Sequence, residues 1–197
     1  MSEEDRQRWE QKHRIASLRE EPSSFLVEQL AGVPQGGKAL DVAAGRGRNS
    51  VFLARHGFSV DAMDISPTAV GEVNRLAAEH GLPLKGIQTD LETVNLPPNR
   101  YDLVIVFNYL DRNLIPKLKT ALKPGGYVIY ETFLLDQKEI GHPTNPRYLL
   151  DHNELLDLFR EFRTLFYREG MFAERDETRF VASLFAKKLE RPREGRT

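Results

Sequence analysis

Residues 40–50 read LDVAAGRGRNS, and this stretch decides the fold. A short apolar run carries an acid, Asp41, and then gives way to small residues with two spaced glycines, Gly45 and Gly47. An apolar run closed by a glycine loop and followed by helix-compatible residues is the pattern of a strand, a tight turn and a helix N-terminus. Glycines without side chains let main chain approach a ligand closely.

Outward from that loop the pattern repeats. KALDV (38–42) reads as the first strand, and residues 48–56 read as a helix stopped by Gly57. FSVDAMD (58–64) is a second strand. Ser66-Pro67 then opens a helix running to His80-Gly81, with a hydroxyl at the N-cap and proline at the first helical position. LKGIQT (84–89) and YDLVIVF (101–107) are the third and fourth strands. The unbroken apolar run of the fourth predicts burial on both faces. A helix is expected over 112–122, closed by Lys123-Pro124-Gly125-Gly126, and YVIYETF (127–133) is a fifth strand. After a loop (134–150), Asp151 with Glu154 forms a capping-box-like helix start. TLFYREGMF (164–172) and TRFVASLFAKK (178–188) close the core as an antiparallel hairpin. Upstream, Phe25, Leu26 and Leu30 stand at helical spacing after Pro22.

Strands alternating with helices specify a doubly wound α/β sheet, mostly parallel, with helices on both faces and an antiparallel C-terminal hairpin: seven strands in all. At 197 residues the chain fits one domain, divided as a helical arm (1–36), a core (37–188) and a frayed tail (189–197). The net charge of −1 gives no global field for nucleic acid or an anionic membrane, so neither is expected as a partner. No apolar stretch reaches the ~18 residues of a membrane span. The charged start MSEEDRQRWEQKHR lacks the apolar centre of a secretory signal, which makes a cytoplasmic protein the expectation. There are no cysteines, which excludes disulfides, thiolate metal sites and cysteine nucleophiles, and no metal is expected.

In a doubly wound sheet, ligands sit beyond the carboxyl ends of the strands where the strand order reverses. Asp64, ending the second strand, is placed to accept hydrogen bonds from two ribose hydroxyls of an adenosine cofactor. Asp61 precedes it by three residues, points to the opposite strand face and is expected to have a surface role. From Gly45 the chain reads G-R-G-R-N-S, a partial match to the dinucleotide fingerprint. Asp41 discriminates further. It would oppose an NAD pyrophosphate seated on helix N-terminal amides, whereas it suits the sulfonium and ammonium of S-adenosylmethionine.

LDVAAGRGRN with VDAMDISP (60–67) resembles the first two motifs of class I S-adenosylmethionine-dependent methyltransferases, with Ala43 where the family's first glycine usually stands. Gln88-Thr89-Asp90-Leu91 resembles the motif after the third strand, and Leu122-Lys123-Pro124-Gly125-Gly126 the turn before the fifth. The likeness spans roughly 38–188 and implies a Rossmann-like fold. A closer resemblance is to small bacterial methyltransferases of the tellurite-resistance type, carried by Trp9-Glu10-Gln11-Lys12-His13-Arg14 and Pro22-Ser23-Ser24-Phe25-Leu26 ahead of the glycine loop. It implies that the arm folds over the cofactor and that Arg14 pairs with the cofactor carboxylate.

The cofactor set expected for S-adenosylmethionine is therefore Arg14, Asp41, Ala43, Gly45, Gly47, Asn49, Asp64, Ile65, Asp90, Leu91, Phe107 and Asn108. Ile65 is expected on the adenine face, and by the resemblance Asp90 contacts the adenine amino group. Phe107-Asn108-Tyr109-Leu110 lies where amino-group methyltransferases place an N/D-P-P-Y/F/W motif but lacks both prolines. No catalytic residue stands out; Tyr109, Glu131 and His142 are the candidates. GHPTNPRYLL (141–150) reads as a lid over the acceptor pocket. The expected reaction is methyl transfer to a small-molecule acceptor. A non-catalytic module binding S-adenosylmethionine or S-adenosylhomocysteine, and a nicotinamide-dependent oxidoreductase, are the rival readings. Oligomeric state and the accepting atom are not encoded in any pattern found.

Overall fold

The computed structural model describes residues 7, 10, 11, 21–174 and 177–190, with Glu174 described by its backbone alone. In chain order the elements are α1 (Ser24–Leu30), β1 (Lys38–Val42), α2 (Arg48–Arg55), β2 (Ser59–Asp64), α3 (Pro67–His80), β3 (Leu84–Gln88) and β4 (Tyr101–Phe107). Then follow α4 (Ile115–Ala121), β5 (Leu122–Phe133), two short 3₁₀ turns (Leu135–Glu139 and Pro146–Tyr148), α5 (Glu154–Leu158), β6 (Arg163–Glu174) and β7 (Glu177–Lys187).

The seven strands form one sheet in the order β3-β2-β1-β4-β5-β7-β6. The neighbours from β3 to β5 pair in parallel. β7 runs antiparallel to both β5 and β6. The order reverses between β1 and β4, which lie side by side with Val42 level with Val106. This is the crevice where a doubly wound sheet takes its ligand.

Alternation along the strands divides the apolar core in two. Leu40, Val42, Met63, Val104, Val106, Val128 and Tyr130 face α4 and α5, packing with Leu114, Leu118, Leu155 and Phe159. Ala39, Val60, Ala62, Leu103, Ile105 and Ile129 face the other layer, with Phe25 and Leu26 of α1, Leu53 of α2 and Val73 of α3. Leu103–Phe107 of β4 are all buried, as a strand covered on both sides must be. α3 begins as its sequence dictates: the Ser66 hydroxyl accepts from the Ala69 N–H at 3.1 Å, Pro67 follows, and Gly81 ends the helix in the left-handed conformation.

Two expectations are corrected. The helix expected over 112–122 is confined to Ile115–Ala121, and β5 starts at Leu122 rather than at residue 127. The continuation of β7 is responsible. Lys188 exchanges main-chain hydrogen bonds with Gly125 and Gly126, and its ammonium takes the carbonyls of Lys119 and Leu122, so the proline–glycine run is drawn into the sheet. Asp61 does sit on the face opposite Asp64, yet it is buried. It accepts from the Tyr101 hydroxyl at 2.9 Å and pairs with Lys38 at 2.8 Å, a partner set that replaces the expected surface role. The 141–150 segment is fastened to the core. Arg112 donates to the carbonyls of Arg147 and Leu149 and pairs with Glu154, and Leu150 bridges to Leu134.

β1 leaves the sheet through Ala43, which has φ 54°. A Cβ in the left-handed region costs about 1–2 kcal/mol, part of which glycine would forfeit through its greater freedom when unfolded. Ala43→Gly is therefore expected to raise stability by about 0.5–1 kcal/mol in urea unfolding. A loss of stability would show that the Ala43 methyl contributes packing that outweighs the strain.

Candidate functional site

The site is built where β1, β2 and β4 end together. Backbone turns sharply at two of these ends: Ala43 after β1 and Asn108 after β4 both have positive φ, 54° and 58°. Residues in that conformation cluster where main chain is shaped for a ligand. Between β1 and α2 the loop passes through Gly45 and Gly47, also at positive φ. Gly47 is tightly packed, because a Cβ there would lie 2.7 Å from Val73 Cγ2.

Asp64 joins this loop to the next. Its Oδ2 accepts the Gly45 N–H at 2.8 Å and its Oδ1 accepts the Ser66 N–H at 2.9 Å. An ionised carboxylate offers about four acceptor positions, two on each oxygen. Those two bonds leave one position open on each Asp64 oxygen, the arrangement that a pair of vicinal hydroxyls requires. Ile65, the next residue, is buried, yet among the described residues it joins neither apolar cluster.

Asp41 points into the same layer as Asp64 but lies deeper, 2% exposed, where it accepts the Ser50 hydroxyl at 2.6 Å. Burial pushes its carboxyl up to about 7. The Ser50 hydrogen bond and the Arg48 charge pull the other way, and Asp64 adds to the rise. The acid ahead of the glycines thus sits beneath the loop, bracing the start of α2.

The remaining expected positions divide. Asp90 is half-buried and its Oδ1 accepts the Glu92 N–H at 3.0 Å, a local turn. Leu91 and Phe107 carry their side chains in the core. Asn49, at the start of α2, has its Oδ1 accepting the Ser23 N–H at 2.9 Å. Arg48 donates to the Ser23 hydroxyl at 3.0 Å and the Glu21 carbonyl at 3.2 Å. The Arg-Asn pair after Gly47 therefore ties the foot of the arm to α2. Arg14 lies outside the described residues.

The three catalytic candidates sit in different surroundings. Glu131 is 3% exposed and is held by Arg179 at 2.9 Å and by the Ser183 hydroxyl at 2.7 Å. Burial, then Asp111, Glu92 and Asp90, push the Tyr109 hydroxyl up, so it stays protonated. His142 is exposed on the segment after the first 3₁₀ turn. Two residues that no local sequence signal marks complete the surroundings. Arg179, buried on β7, reaches Asn108 Oδ1 at 3.3 Å as well as Glu131. Glu10, from the arm, caps the start of α3 by accepting the Thr68 N–H at 3.2 Å. Beside Arg179 opens a small cleft of about 90 Å³ lined by Phe25, Glu28, Glu131, Arg168, Phe172 and Val181, among others.

Comparison with known proteins follows the same lines. The family model for the tellurite resistance protein TehB matches residues 5–179. Hemagglutinin 1 of Eikenella corrodens is 28% identical over 141 residues, covering 68% of this chain and 46% of that protein. The probable S-adenosyl-L-methionine-dependent methyltransferase TehB of Haemophilus influenzae is 26% identical over 141 residues, covering 68% and 49%. This chain spans about half the length of those two relatives. The crystal structure of TehB from Haemophilus influenzae superposes with a TM-score of 0.74 at 20% identity, covering 91% of this chain and 65% of that one. Among the described residues no helix is long and apolar enough to cross a membrane.

The raised Asp41 pKa has a sign that can be measured. Because the folded-state value of about 7 lies above the unfolded one, the native state holds a proton that the unfolded state releases between those values. The contribution of Asp41 is therefore full below the unfolded value of about 4, falls as pH rises to about 7, and is flat above it. Urea unfolding of wild type and Asp41→Asn from pH 4.5 to 8.5 is expected to show the wild type losing stability relative to the variant by up to about 1.4 kcal/mol per pH unit below neutrality. A pH-independent difference would contradict the burial argument.

Proposed function

We propose that this chain, which belongs to the tellurite resistance protein TehB family, is an S-adenosylmethionine-dependent methyltransferase acting on a small-molecule acceptor. The single observation that carries the reading is Asp64. Its carboxylate is fixed by the Gly45 and Ser66 N–H groups and keeps one acceptor position on each oxygen for a ribose diol.

The other residues around the crevice fit the same cofactor. Ile65 offers a buried apolar surface for adenine that neither core cluster claims, and Asp90 stands on the loop beyond β3 for its amino group. The positive-φ turns at Ala43, Gly45 and Gly47 bring main chain to the methionine moiety. With its Oδ1 on Arg179, Asn108 is left to hold an ammonium chiefly through its carbonyl. Asp41 complements the cofactor's cations through the loop, and their charge would favour its ionised form. The arm is read as covering the cofactor, tied down at Ser23 by Arg48 and Asn49.

Bound, S-adenosylmethionine supplies an electrophilic methyl group on a sulfonium that leaves as a neutral thioether when the acceptor displaces it in line. With the leaving group activated in advance, the protein's task is alignment and exclusion of water, worth ~7–11 kcal/mol at best. That matches a site whose carboxylates are all engaged in hydrogen bonds. Glu131, paired to Arg179, which also reaches Asn108, braces the end of β4 against the hairpin. The cleft between α1, β6 and β7 is linked to Asn108 through Arg179, and we read it as the approach for the acceptor.

Thermal unfolding with S-adenosylmethionine, S-adenosylhomocysteine and NAD, each at the same large excess over protein, tests the cofactor. A true ligand at about a hundred times its dissociation constant adds ~2.7 kcal/mol and raises the midpoint by roughly 2–4 °C. A shift with the first two and none with NAD is expected. A shift with NAD alone would make the chain a nicotinamide-binding protein.

A further inference from the structure

We infer that Glu10 is a positioning residue of the cofactor site, acting through Ser66 on Asp64; the inference rests on the reading given under Proposed function. Glu10 is helical and half-buried, and its carboxylate spans the first turn of α3. One oxygen takes the Ser66 hydroxyl and the Thr68 N–H; the other takes the Thr68 hydroxyl. The Thr68 N–H belongs to the first turn of α3, whose donors have no partner within the helix, and a negative charge there meets the positive end of the helix dipole.

The direction of the hydrogen bonds carries the consequence. Ser66 has one hydroxyl proton and gives it to Glu10, while its oxygen accepts from the Ala69 N–H. Its main-chain N–H goes to Asp64 Oδ1. With the hydroxyl proton committed to Glu10, Ser66 makes a single bond to Asp64. Without Glu10, that proton loses its acceptor, and the Asp64 carboxylate two residues away is a charged alternative within the same turn. A second donor from Ser66 would take the acceptor position left for one ribose hydroxyl. Glu10 thus keeps Asp64 open, although it stands far from it in the sequence and makes no bond to it. The same contacts join the arm to the rim of the crevice, so this corner is complete only when arm and core are in place together.

The test is a double-mutant cycle read by calorimetric titration of S-adenosylhomocysteine into the full-length chain. Wild type, Glu10→Ala, Asp64→Asn and the double variant are compared, with the unliganded unfolding midpoint of each measured to establish folding; alanine is used because a glutamine would keep an acceptor for the Ser66 hydroxyl. Glu10→Ala is expected to weaken binding about five- to tenfold, the worth of roughly one hydrogen bond. In the Asp64→Asn background the same change should cost nothing further. Should Asp64→Asn abolish binding, the 2′,3′-dideoxy analogue of S-adenosylhomocysteine takes the place of that variant, and its affinity should be indifferent to Glu10→Ala. An equal loss in both backgrounds, or for both ligands, assigns Glu10 a purely structural role and overturns the inference, as does unchanged affinity for S-adenosylhomocysteine. A wild-type chain that does not bind S-adenosylhomocysteine overturns the cofactor reading itself, and the positioning role with it.

Discussion

The rest of the site depends on one carboxylate shared between two loops. Asp64 ends β2, and its two oxygens hold the N–H groups of Gly45, in the turn after β1, and of Ser66, at the head of α3. Parallel strands bring these loops level, since Asp41 lies opposite Ala62 and Val42 opposite Met63 across β1 and β2. A group buried this far must have its acceptors satisfied, or keep them for a ligand. Lengthening the turn, moving Gly45 or replacing Asp64 would each disturb the other two, so this corner behaves as a unit.

Polar contacts of long sequence separation lock the surrounding parts to that corner. On one side, Arg48 and Asn49 hold Ser23, so the arm joins the core directly beside the glycine loop. On the other, Arg179 links Glu131 to Asn108, so the C-terminal hairpin braces the end of β4. Arg112 fastens the segment around Tyr148 and Leu149 against the same end of the sheet. Each is a charge-assisted pair or a buried hydrogen bond whose loss would strand an unsatisfied group. The crevice therefore has walls drawn from the arm, the β4–α4 loop and the hairpin, none of which carries the cofactor motif.

Much of this was legible in the sequence because it follows from local rules. Ser66-Pro67 marks the head of α3 by capping chemistry, and the apolar run 103–107 marks a strand covered on both sides. The three-residue offset between Asp61 and Asp64 separates their faces by the pleat alone. What escaped depends on which distant groups the topology brings together. Asp61 is buried because Tyr101 and Lys38 reach it across neighbouring strands. Glu131 looks like a free base until Arg179 and Ser183 are folded onto it. Asn49 looks like part of the glycine motif until Ser23 arrives from the arm. The early start of β5 follows from Lys188, at the far end of the chain.

A crystal structure of the protein grown with S-adenosylhomocysteine tests the central claim most directly. The account predicts the two ribose hydroxyls on the two Asp64 oxygens, with the Gly45 and Ser66 N–H contacts retained and the adenine against Ile65. A ligand seated elsewhere, or a ribose bound with Asp64 making no contact to it, would contradict the account.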